Sequence, residues 1–134
     1  MYYQDKRYNL FISHAWKYDY QYQTVIDWLE KSDLKYYNYS VPEEDPLHSG
    51  SKSQLKIDLT NQIKPASCVV IIAGMYDVYS EWIQYEINEA LRMGKYIIGI
   101  RPWGAQKMPL IVQTYADEII GWNSASLIKA IKRS

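Results

Sequence analysis

The run at residues 68–73 constrains the fold more strongly than any other part of the sequence. Its letters, CVVIIA, are apolar at every position, a pattern typical of a strand that is buried on both faces of a parallel sheet. The run is far too short to span a bilayer as a helix. We therefore expect a sheet that is covered by helices on both sides.

Segments of strand and helix composition alternate along the rest of the chain. The β-prone runs YNLFIS, LKYYNY and YIIGI, and a short EIIG run, predict four further strands. Apolar residues at helical spacing predict four helices between and after them. The strands are expected at residues 8–13, 34–39, 96–100 and 118–121, and the apolar helix positions are Tyr22, Val25, Ile26 and Leu29; Leu55, Leu59 and Ile63; Ile83, Ile87, Ala90 and Leu91; and Leu127, Ile128 and Ile131.

Capping residues predict where the helices begin and end. Ser80 is a suitable cap for the third helix, and Gly94 is its natural stop. Asn123 or Ser124 is expected to cap the last helix. Residues 101–109 contain two prolines and a glycine, and we expect them to form a loop.

The alternation of strands and helices predicts a flavodoxin-like, three-layer α/β fold with a central parallel sheet of about five strands. The 134 residues suit one compact domain, so we interpret residues 1–134 as a single domain. In such open sheets, ligands bind beyond the carboxyl ends of the strands, near a switch in strand order. That rule indicates four loops, at residues 13–16, 40–47, 74–80 and 101–103.

Composition and motifs exclude several classes of function. With 15 basic and 15 acidic residues, no global field attracts nucleic acid or an anionic membrane. Residues 1–8 do not resemble a signal peptide, and a single cysteine cannot form an internal disulfide, so we expect a cytoplasmic protein. The two histidines and the cysteine have no zinc spacing, and no Walker loop, dinucleotide glycine motif or nucleophile elbow is present. We expect neither a metal nor a resident cofactor.

The segment SEWIQYEINEA contains the strongest candidate for chemistry. Trp82 and Glu86 are four positions apart and therefore share one face of a helix. Glu86 lies between Ile83 and Ile87 in the apolar stripe and should be partly sheltered. A sheltered acid without a basic neighbour indicates a functional site. The alternative is a solvated glutamate that the positive end of the helix stabilises.

Two segments resemble motifs of TIR domains. YNLFISHAW resembles the first box of these domains, and SEWIQYE resembles the motif in which the catalytic glutamate follows a tryptophan by four positions. Longer blocks resemble the TIR-like proteins of bacterial anti-phage defence, namely the Thoeris ThsB family and its MTH538-like relatives. These blocks are NYSVPEEDPL at residues 38–47, AGMYDVYSEWIQYEINEA at 73–90, IIGIRPWG at 97–104 and EIIGWN at 118–123.

This resemblance implies an enzyme that cleaves NAD between nicotinamide and ribose and releases a cyclic ADP-ribose-type signal. The signal would activate a partner effector of the ThsA type, and NAD would be the substrate. Glu86 matches the catalytic glutamate of the family, whereas Glu89 falls outside the motif and is expected to be a solvated helix residue. The resemblance leaves open whether the resting protein is active or waits for self-assembly or a phage-derived trigger.

Further positions are candidates for substrate binding. The tryptophans could stack on nicotinamide or adenine, and the arginine could bind the pyrophosphate. For each of them a structural role is the alternative: packing for the rings, a surface ion pair for the arginine and a structural hydrogen bond for the histidine. The candidates are Phe11, Ser13, His14, Asp45, Trp82, Arg101 and Trp103.

Two other functions remain open at this point. TIR domains can act as adaptors without catalysis, and the tyrosine-rich composition, with 14 tyrosines, suits interfaces. Nucleoside deoxyribosyltransferases have a similar fold and also use a glutamate at a ribose carbon. Absence of NAD turnover would favour the adaptor, and exchange of bases on deoxynucleosides would favour the transferase.

Overall fold

The computed structural model describes residues 6–13, 19–40, 52–72, 76–101 and 108–134. Strands and helices alternate along these residues, as the sequence predicts. The strands are β1 (Arg7–Ile12), β2 (Lys35–Asn38), β3 (Cys68–Ile72), β4 (Tyr96–Ile100) and β5 (Glu118–Ile120). The helices are α1 (Asp19–Lys31), α2 (Lys52–Ile63), α3 (Tyr76–Arg92), α4 (Leu110–Tyr115) and α5 (Ser124–Arg133).

All five strands pair in parallel, in the order β2-β1-β3-β4-β5. Every residue of β3 is buried, as its uninterrupted apolar sequence requires. The flavodoxin-like fold class is thereby confirmed. From β1 the chain moves outward to β2 and then returns across β1 to β3, so the strand order reverses between β1 and β3. Ligands bind at this switch point in folds of this kind.

Helices cover both faces of the sheet. On one face α3 packs between α2 and α4, and on the other α1 packs against α5, as right-handed crossovers require. The helices α2 and α3 run parallel: Lys52, the first residue of α2, lies near Glu81 in the second turn of α3, and Thr60 meets Glu89 farther along both helices. The buried side chains of the sheet and of both helical layers form one core.

Two capping predictions are confirmed. Gly94 follows α3 with a φ of 69°, a left-handed conformation that glycine adopts without the steric cost of a Cβ. Asn123 caps α5, since its side chain accepts a hydrogen bond from the backbone N–H of Ser126 at 3.0 Å.

Three details of the helices differ from the sequence prediction. Ser80 does not cap α3, because the helix already begins at Tyr76; residues 76–80 contain no glycine or proline that would end a helix. Leu91 is 41% exposed. Each step of four residues along a helix turns about 40° past a full circle, so two steps from Ile83 carry Leu91 away from the buried face. The six-residue α4 was not predicted, since it is too short to show a helical period.

Candidate active site

The pairing of Ser13 with Glu86 is the centre of the candidate site. Ser13 directly follows β1, and its backbone N–H donates to the carbonyl of Val70 in β3 at 2.9 Å. Its hydroxyl donates to Glu86 Oε1 at 2.7 Å. A residue at the carboxyl end of β1 and a residue on α3 thus meet at the β1/β3 switch point, where the fold predicts a ligand.

Burial sets the acidity of Glu86. The residue is only 5% exposed, because its neighbours in the helix stripe, Ile83 and Ile87, face the core. Burial raises the pKa of the Glu86 carboxyl from 4.5 to about 7, and the hydrogen bond from Ser13 opposes this rise. Among the described residues, no lysine or arginine forms an ion pair with it. A carboxyl with this pKa has both protonation states available near neutral pH.

Trp82 lies one turn before Glu86 on the same helix. It is 5% exposed and belongs to the core cluster. The prediction that the two residues share a sheltered face is therefore confirmed. Phe11, in β1, is fully buried opposite Val69 of β3. Contact of Trp82 or Phe11 with a substrate stays a prediction.

Glu89 is not the solvated residue that the sequence predicted. Its side chain is only 13% exposed and accepts hydrogen bonds from Thr60 at 2.7 Å and from two nitrogens of Arg92 at 2.8 and 2.9 Å. Tyr85 donates to it at 3.4 Å. The bonds from Arg92 are the main reason that the pKa of Glu89 falls to about 2. The prediction failed because Thr60, on α2, is distant in sequence.

A strip of polar contacts extends from the switch point toward β2. The backbone N–H of Ile12 donates to Ser40 Oγ at 3.1 Å, and the Ser40 hydroxyl donates to Asn38. The amide of Asn38 then donates to the hydroxyl of Tyr22 in α1 at 2.9 Å. Ser40 begins the second loop that the sequence indicated, whereas Asn38 and Tyr22 were not predicted as site residues.

Arg101 directly follows β4 and is exposed. Its backbone N–H donates to Ile120 in β5 at 2.9 Å, and its guanidinium has no ion-pair partner within the described ranges. One strand, β3, separates β4 from β1, so Arg101 lies about 10 Å to the side of Ser13. A ligand that touches both must therefore be larger than a single ring.

Gln21 is a buried polar residue that the sequence analysis missed. It is 2% exposed and lies in the first turn of α1. A signal was available, because Gln21, Val25 and Leu29 recur every four residues and all three are buried. The predicted stripe contains only the apolar residues of this face, and Gln21 is therefore not among the predicted site residues.

Three predicted site residues, His14, Asp45 and Trp103, lie outside the described residues, as do most residues of the four indicated loops. The described part of the chain contains no cluster of three or more side chains that could hold a metal ion. No helix in the described ranges has both the length and the apolar character needed to cross a membrane.

Comparison with known proteins yields a family match and two similar folds. A family model described as Thoeris protein ThsB, TIR-like domain, matches residues 11–107. The CMP N-glycosidase BcmB of Clostridium botulinum superimposes with a TM-score of 0.55 at 18% identity, covering 94% of this chain and 99% of that chain. The signal receiver domain of a Luxo repressor protein from Vibrio parahaemolyticus gives a TM-score of 0.52 at 12% identity, with coverages of 95% and 90%.

At these identities the two structures show likeness of fold alone. A search of curated proteins found no significant match.

Proposed function

The chain belongs to the family of the Thoeris protein ThsB TIR-like domain, and from that premise we propose that it cleaves NAD between nicotinamide and ribose, with Glu86 as the catalytic carboxylate. The observation that carries the proposal is the buried Ser13–Glu86 pair at the β1/β3 switch point. Glu86 also stands where the SEWIQYE motif resembles that of TIR enzymes with a catalytic glutamate.

One carboxylate is sufficient for this reaction. Nicotinamide is bound to ribose as a cationic pyridinium and leaves as a neutral ring, so no acid needs to protonate it, unlike the oxygen leaving group of most glycosidases. The enzyme must instead stabilise the positive charge that grows at the anomeric carbon. A carboxylate beside that carbon, which also accepts hydrogen bonds from the ribose hydroxyls, fulfils both tasks.

The surroundings of Glu86 strengthen its effect on that charge. The carboxylate is buried among apolar side chains, and charges interact more strongly where water does not screen them. Ser13 holds Oε1 at 2.7 Å. We assign Oε2 to the substrate, since it accepts no hydrogen bond from any described residue.

The same dry surroundings bear on the product. Where little water reaches the anomeric carbon, a nucleophile from the adenine or ribose side of the same molecule can attack that carbon in place of water. A cyclic ADP-ribose-type product would result. In the Thoeris scheme such a product activates a separate effector of the ThsA type, so the partner is reached through a diffusible nucleotide.

The test follows NAD and its products by mass spectrometry, with and without a lysate of phage-infected cells as the trigger. Wild type and Glu86→Gln are compared with Glu81→Gln, which changes a glutamate of the same helix that is 57% exposed. We expect nicotinamide and a product of cyclic ADP-ribose mass from wild type and Glu81→Gln, and neither from Glu86→Gln.

Equal nicotinamide release by Glu86→Gln and wild type would refute the role of Glu86. Intact NAD in every triggered wild-type sample, together with self-association, would favour the adaptor. Base exchange on deoxynucleosides would favour a transferase. CMP is included as a substrate because one protein of similar fold is a CMP N-glycosidase.

A further inference from the structure

The buried polar side chains of the described residues share one location. They are Ser13, Gln21 and Glu86, at 2%, 2% and 5% exposure. Ser13 ends β1, Gln21 lies in the first turn of the helix that follows it, and Glu86 reaches Ser13 from α3. Polar groups are thus buried where the fold predicts a ligand, whereas buried side chains elsewhere in the described part are apolar.

Gln21 differs from the other two because its Oε1 is, among the described residues, the one fully buried side-chain oxygen or nitrogen without a hydrogen-bond partner. Its Nε2 donates to the hydroxyl of Tyr20 at 3.3 Å, which leaves the second N–H of the amide without a described partner. Its Oε1 is buried and accepts no hydrogen bond from the described residues. A buried acceptor without a partner destabilises a fold by roughly 1–3 kcal/mol, so a methionine of similar size would suit this position better if only packing mattered.

We propose that Gln21 is a specificity residue whose carboxamide binds the amide or amidine edge of a nucleotide substrate. A carboxamide offers an acceptor beside a donor, and two kinds of group match that pattern. One is a primary amide, such as that of nicotinamide; the other is an amino group beside a ring nitrogen, as in adenine or cytosine. The proposal rests on the function proposed above and adds the chemistry of the ring that is recognised.

The position of Gln21 suits a ligand that also reaches Glu86. Helix α1 covers one face of the sheet and α3 the other, and both flank the carboxyl end of β1. The polar strip through Ser40 and Asn38 connects the backbone of Ile12, the residue before Ser13, with Tyr22, the residue after Gln21. A nucleotide lying across the end of β1 would place its ribose at Glu86 and a heterocycle at Gln21.

The test measures binding by calorimetry in the Glu86→Gln background, where the substrate stays intact. Gln21→Met is compared with Gln23→Met, which changes an exposed glutamine of the same helix. Each ligand is paired with an analogue that lacks the amino group: NAD with its hypoxanthine analogue for the adenine end, NAD with its nicotinic acid analogue for the other end, and CMP with UMP.

In one of these pairs we expect Gln21→Met to weaken binding of the amino-bearing member by about 10-fold or more, and its analogue by less than about 2-fold. The affected pair identifies the ring. Gln23→Met should change neither member. Because Oε1 has no described partner, Gln21→Met should also keep or raise the melting temperature, so loss of binding would not reflect unfolding.

Three results would overturn the proposal: equal weakening of both members of every pair, unchanged binding of every ligand, or no binding of any of these ligands. Either of the first two results, together with a lower melting temperature, would show that Gln21 has a structural role. Binding does not require turnover, and CMP does not require NAD to be the substrate. Failure of NAD cleavage with discrimination intact would therefore reject the proposed function and leave this inference standing.

Discussion

Glu86 and Glu89 lie one turn apart on α3 and carry the same carboxyl group in opposite surroundings. Glu86 faces the core and receives one described hydrogen bond, from Ser13; burial raises its pKa to about 7. Glu89 faces α2 and receives bonds from Thr60 and Arg92, and its pKa falls to about 2. Two acids whose pKa values are driven apart indicate a division of roles: Glu86 is suited to chemistry, and Glu89 to holding two helices together.

Replacing each acid in turn should give the largest difference between them. Glu86→Gln should reduce NAD cleavage by roughly 10³-fold, because the charge that stabilises the transition state is removed. Glu89→Gln should retain most of the activity of each folded molecule. The initial rate of NAD cleavage is measured for both variants and divided by the folded fraction, which circular dichroism gives. Similar losses in the two variants would mean that the helix, rather than Glu86 itself, determines activity.

The second difference concerns stability and pH. The pKa of Glu86 is higher in the folded protein than its ordinary value of 4.5, so between pH 4.5 and about 7 the folded state binds more protons than the unfolded state. The contribution of Glu86 to stability is therefore complete below pH 4.5 and is lost as the pH rises through 7. The loss is on the order of 3 kcal/mol.

Urea denaturation at pH 5 and pH 8 checks this, with Glu86→Gln as the variant from which the contribution is absent. We expect the free energy of unfolding of wild type to fall relative to the variant as the pH rises. If the free energies of unfolding of wild type and Glu86→Gln differ by the same amount at both pH values, Glu86 is not buried as described.

Glu89→Gln should lower the free energy of unfolding by about 2 kcal/mol, because it weakens the bonds from Thr60 and Arg92 that join α2 and α3. The matched control is Asp27→Asn, which removes an exposed pair with Lys31 in α1 and should cost less than about 0.5 kcal/mol. Chemical denaturation at pH 7 measures both. If Glu89→Gln and Asp27→Asn lower the free energy of unfolding equally, Glu89 contributes no more than an exposed surface acid.

The smallest expected effect is that of Ser13→Ala. The Ser13 hydrogen bond lowers the pKa of Glu86, so its loss raises that pKa and leaves less of the carboxylate form at neutral pH. We expect the rate at pH 7 to fall about 10-fold and the midpoint of the pH–rate profile to move upward. Ser67→Ala, at an exposed serine before β3, is the control. A lower rate with an unmoved midpoint would mean that Ser13 acts on the substrate and not on Glu86.

The sequence predicted most of the fold because its strands and longer helices carry clear periods. The uninterrupted apolar run of β3 predicts a central strand, and every residue of that strand is buried. Gly94 follows the end of α3, and Asn123 caps the start of α5. The start of α3 and the short α4 were missed, because local signals at Ser80 and Pro109 do not reveal how far a helix extends.

The site was predictable only in part. Glu86 stood out because it interrupts an apolar stripe, and Gln21 could have been recognised in the same way. The partner of Glu86, Ser13, is 73 residues away, and the partner of Glu89, Thr60, is 29 residues away. No local pattern encodes such pairings; they arise only when the sheet and its crossovers assemble.

The most direct test of the difference between Glu86 and Glu89 is an NMR titration of the glutamate side-chain carboxyl carbons in the wild-type protein. We predict one carboxyl with a midpoint near 7 that disappears in Glu86→Gln, and another with a midpoint near 2 that disappears in Glu89→Gln. If both residues titrate between pH 4 and 5, their surroundings do not differ as described, and the assignment of chemistry to Glu86 would be contradicted.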